Sequence, residues 1–69
     1  MYTISPVYRT KAEAKAALKA GEPLQLVHPE GHVMDKASGG PWLVECKLDH
    51  YKPWRAHLTM ERGKIVRLA

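Results

Sequence analysis

Sixty-nine residues at 7.8 kDa leave room for one hydrophobic core and exclude a second. Hydrophobic residues are 45% of the chain, and eight of them are alanine, so that core is small and its margin of stability thin. Eleven Lys and Arg against seven Asp and Glu give +4 with His neutral, while the absence of any apolar run beyond three residues excludes a transmembrane helix.

The chain opens Met1-Tyr2-Thr3-Ile4-Ser5, which has neither a basic start nor an apolar stretch. No export signal is read there, and the lone thiol of Cys46 suits a reducing cytoplasm. Residues Tyr2 to Tyr8 read as a first strand, demoted to a sheet edge by Pro6. Thr10-Lys11-Ala12-Glu13 then reads as a capping box, with the Thr10 hydroxyl and the Glu13 carboxylate each accepting from the other residue's amide. A helix over 11–20 follows, stopped by Gly21. Its Ala14, Ala17 and Leu18 face the core, and Lys11, Lys15 and Lys19 form a stripe at i, i+4 spacing.

Leu24 to His28 and His32 to Asp35 flank Pro29-Glu30-Gly31, a hairpin loop of three residues that sets His28 facing His32. After Ser38-Gly39-Gly40-Pro41, alternation governs. Trp42, Val44, Cys46 and Leu48 share one face, and so do Trp54, Ala56, Leu58 and Met60. A five-residue loop over 49–53 pairs Leu48 with Trp54 and Val44 with Leu58. A three-residue loop over 61–63 pairs Leu58 with Val66, whereas a two-residue Arg62-Gly63 turn would set Leu58 against Arg67. The expected result is a meander of 42–48, 54–60 and 64–69.

The fold class is therefore α+β, a single small domain over 1–69, with one short helix on a twisted antiparallel sheet of about five or six strands. The Pro-bearing first strand and the short last one leave an open edge, where a homodimer or a partner's strand can pair.

In this register Lys47 lies opposite Arg55, Glu45 opposite His57, and His57 opposite Arg67, all on the outward face. Cations set opposite one another require solvent or an acidic partner. The last segment, 42–69, carries six Lys and Arg against three acids; residues 23–41 carry one against two. The loop His50-Tyr51-Lys52-Pro53-Trp54-Arg55 adds aromatic rings among cations, a combination that holds single-stranded nucleic acid by stacking and phosphate contact.

His28-x₃-His32 with Cys46-x₃-His50 has the composition of a zinc site, but a cysteine in mid-strand on an apolar face acts more often as a small hydrophobe. The candidate acid/base couple Glu45–His57 lacks a third group and a pocket, and Cys46 and His57 point to opposite faces. Ser38-Gly39-Gly40 precedes a strand and lacks the Lys-Ser/Thr of a phosphate loop. Leu18 is the helix's one bulky apolar residue, too little for a membrane surface. The chain thus reads as a non-catalytic basic binding module that needs no cofactor or metal. It would bind nucleic acid through Lys47, Tyr51, Lys52, Arg55, His57 and Arg67. The alternative is a regulator or inhibitor that docks the same face, or the open edge, on a larger acidic protein.

Overall fold

The computed structural model describes residues 1–69. Its elements are β1 (Thr3–Ser5), α1 (Lys11–Lys19), β2 (Gln25–Val27), β3 (Gly39–Cys46), β4 (Trp54–Glu61) and β5 (Lys64–Leu68). The class is α+β with a C-terminal antiparallel meander, as the alternation predicts. The strands divide, however, into a two-stranded sheet, β1-β2, and a three-stranded one, β3-β4-β5. Tyr2 links them: it forms a parallel bridge to Val44, and its carbonyl accepts from the Glu45 amide at 2.9 Å.

β1 ends at Ser5, just short of Pro6, which has no amide proton to continue a ladder. Only half of the capping box forms before α1. The Thr10 hydroxyl accepts from the Glu13 amide at 3.2 Å, but the Glu13 carboxylate takes the Arg9 guanidinium at 3.0 Å instead of the Thr10 amide. At the other end the Glu22 amide donates to Ala17 and the Gly21 amide to Leu18, so two otherwise unpaired carbonyls are satisfied. Ala14 and Ala17 are buried, and their small size lets the helix sit close to the sheets.

The first hairpin forms as its turn chemistry predicts. Val27 bridges Val33, the His28 amide donates to the His32 carbonyl, and the Gly31 amide donates to the His28 carbonyl, both at 2.8 Å. The strand expected after the turn shrinks to that single bridge at Val33.

In β3 and β4 the predicted faces hold, apart from Leu48, which is exposed, and the predicted partners do not. On β5 the expected inward Val66 is exposed and Ile65 is buried in its place. Val44, Cys46, Ala56, Leu58 and Met60 are buried with Ile4, Leu26 and Ala14 in one core, while Arg55, His57, Thr59 and Glu61 are exposed. Yet Trp42 lies opposite Leu58, Val44 opposite Ala56 and Cys46 opposite Trp54. This is a slip of two residues from the expected register. Because side chains alternate with a period of two, such a slip preserves every face and changes every neighbour. Leu48 consequently leaves the strand, and the connection lengthens to residues 47–53.

The β4–β5 turn is Arg62-Gly63, with Glu61 opposite Lys64 and φ of 51° and 79° at its two central positions. The shorter turn is accommodated by a bulge. Met60 pairs with Ile65 and Thr59 with Arg67, so Val66 is the extra residue, exposed on the edge, and Leu58 meets Leu68 rather than Arg67 or Val66. Glycine is obligatory at position 63 because a Cβ there would collide with the Asp35 backbone. The turn is also tied down from outside: the Gly63 amide donates to the Ala37 carbonyl at 2.8 Å, and the Arg62 amide to Ser38 Oγ at 3.1 Å.

Candidate functional site

The uncovered face of the meander carries the predicted cations, rearranged by the slipped register. Glu45, not Lys47, lies opposite Arg55. Its carboxylate accepts from Arg55 Nε at 2.9 Å and approaches Lys47 Nζ at 3.5 Å. The expected repulsion between Lys47 and Arg55 is thereby replaced by a carboxylate between two cations. The hydrogen bond from Arg55, reinforced by Lys47, holds the Glu45 carboxyl below its ordinary 4.5. At neutral pH the cluster is therefore ionised throughout and carries a single net positive charge.

His57 lies opposite Leu43 rather than Glu45, so the expected Glu45–His57 pairing does not form. On its other side His57 exchanges both backbone hydrogen bonds with Ala69, each at 2.9 Å, which displaces Arg67 by two residues to a place opposite Thr59. Arg67 makes no ion pair, and neither does Lys64 opposite Glu61. Lys64 was absent from the sequence-derived set. The signal for it was the Arg62-Gly63 dipeptide, whose hairpin chemistry parity had overruled.

Behind Lys64, a cleft of about 570 Å³ lies between the end of α1, the start of β2 and the β4–β5 turn. Arg62 and Lys64 line it without carboxylate partners, whereas the one acid there, Glu22, accepts from the Tyr8 hydroxyl at 3.2 Å. Unpaired positive charge thus gathers around β5, in Arg62, Lys64 and Arg67, and is partly neutralised at the Arg55 end.

The 47–53 connection leans toward the helix side. Arg9 stands over the Tyr51 ring at 5.7 Å, and the Trp54 indole donates to the Tyr8 carbonyl at 2.9 Å. No hydrogen bond, ion pair or ring contact joins Tyr51 or Lys52 to Arg55, His57 or Arg67. Lys52 is exposed and unpaired.

Cys46 is buried on the covered face, 3.8 Å from the Thr3 hydroxyl, and burial pushes its thiol up. A protonated, enclosed thiol is neither a nucleophile nor a metal-binding thiolate. The set His28, His32, Cys46 and His50 does not assemble. Instead the donor atoms of His28, Glu30 and His32 all lie within 4.8 Å of one another at the tip of the first hairpin.

No helix is long and apolar enough to cross a membrane. No family model, curated protein or solved structure matches the chain.

Proposed function

We propose that this protein is a non-catalytic module that binds nucleic acid through the open face of the meander, with the strongest contacts along β5. One observation carries the reading: Arg62, Lys64 and Arg67 are exposed or at the surface of one hairpin, and none has a carboxylate within ion-pair distance. Arg67 and Lys64 take phosphates first. Arg55 and Lys47 follow at lower strength because Glu45 competes for them, and His57 lies between the two groups. Tyr51 and Lys52 sit on the separate 47–53 connection, where the Tyr51 ring meets Arg9. Trp42 and Trp54 are half-buried, so no row of open rings lies beside the cations for bases to stack on. Binding should therefore follow phosphate charge rather than sequence.

Fluorescence anisotropy with a labelled single-stranded oligonucleotide tests this. About three phosphate contacts predict a fall in affinity of about twentyfold between 50 and 200 mM salt. The double variant K64E/R67E should melt as the native protein does and lose the complex, while Lys15→Glu, at an exposed position on α1, should retain it. A salt-insensitive complex, or none at all, would overturn the proposal.

The β5 edge supports the alternative of a protein partner. β5 pairs only with β4, and Val66 on it stands 51% exposed. A strand from an acidic protein, or from a second copy, can complete that edge. Recovery from the native host distinguishes the two readings: nuclease-sensitive material favours nucleic acid, and one stoichiometric protein favours the regulator.

A further inference from the structure

The geometry points to a divalent transition-metal site, formed by His28, Glu30 and His32 at the tip of the first hairpin, that is independent of the open sheet face. Two imidazoles and a carboxylate suit the imidazole-preferring cations of the Zn²⁺, Ni²⁺ and Cu²⁺ class, and they leave a coordination position for water.

Three observations support it. The backbone sets the two imidazoles facing: His28 and His32 are joined by a 2.8 Å hydrogen bond across the hairpin, and their rings stack at 4.5 Å with a 12° interplanar angle. The Tyr2 ring, itself edge-on to Trp42, meets His28 edge-on at 5.6 Å and walls it on another side. The Glu30 carboxylate makes no ion pair or hydrogen bond, so it is free to ligate.

Tetrahedral zinc needs its donors about 3.4 Å apart, closer than the present limit of 4.8 Å. Rotation of exposed side chains on the turn supplies the difference. Stacked rings direct their lone pairs in parallel, so ligation requires one ring to tilt and the stack to open. The Glu30 amide now donates to His28 Nδ1 at 3.0 Å, which places that ring's proton on Nε2. A metal at Nε2 therefore moves the proton to Nδ1 and releases the Glu30 amide to water, a small loss at an exposed turn.

Titration of the chelator-treated full chain with Zn²⁺ tests the site by calorimetry, together with ¹⁵N resonances of the imidazoles. The expected result is one ion per chain, with shifts at His28 and His32 and none at His50 or His57. His32→Ala and Glu30→Gln, both at exposed positions, should each weaken binding at least about tenfold. They should also abolish the rise in melting temperature that Zn²⁺ gives the native chain. No saturable binding at submillimolar Zn²⁺ would overturn the site. So would equal weakening by His50→Ala or His57→Ala, because that pattern belongs to scattered surface histidines.

Discussion

The two faces of the β3-β4-β5 meander obey the same alternation and respond differently to error in it. On the covered face, Val44 lies beside Ala56 and would be shielded from water beside Leu58 as well, since both neighbours are apolar. On the open face the neighbour decides the chemistry. Arg55 beside Lys47 would be a repulsive pair seeking an anion; Arg55 beside Glu45 is largely satisfied. A hydrophobic face thus tolerates a two-residue slip in its assigned register, and a charged face does not.

Core truncation should give the largest contrast between the faces. Leu58 is fully buried at the centre of β4, and Leu58→Ala should cost about 2–5 kcal/mol in a urea titration. Its neighbour Thr59 points outward, and Thr59→Ala should cost less than about 1 kcal/mol. Similar losses at both positions would mean that the open face is covered by something, such as a second copy.

The same contrast explains how far the sequence could be read. The class, helix, first hairpin and the buried face of β3 and β4 were legible because each rests on local chemistry or on parity: Thr10 and Gly21 bound α1, and Pro29-Glu30-Gly31 fits one turn. The Glu45–Arg55 pair was not legible, since registers two residues apart bury the same side chains. The bulge at Val66 hid the true β4–β5 turn, as a bulge shifts parity partway along a strand. Glu30 entered the histidine cluster in place of Cys46 and His50 because hairpin closure, not helix-like spacing, brings those donors together.

A second test acts on the turn that parity rejected. Gly63→Ala places a methyl group against the Asp35 backbone and forces a left-handed conformation on alanine. The expected loss is about 1–3 kcal/mol, read as a lowered urea midpoint. Gly31→Ala carries the same left-handed strain with open space around it, so it should cost less. Equal losses would show that the close docking of this turn on residues 35–38 adds nothing beyond the backbone strain.

The smallest change in stability should come with the most informative change in binding. Glu45→Gln removes a solvent-exposed pair that contributes little to folding, so the melting temperature should scarcely move. It also frees Arg55 and Lys47 for phosphate, and one released contact should tighten oligonucleotide binding about fivefold at 0.1 M salt. Acid offers the same release in the native chain. The Glu45 carboxyl titrates below 4.5, so its ion pairs contribute fully above that pH and are lost as pH falls through the lowered folded value. The affinity gap between native and variant chains should therefore be open at neutral pH and close in acid. If Glu45→Gln binds no tighter at neutral pH, Arg55 and Lys47 stand outside the contact and β5 alone carries it.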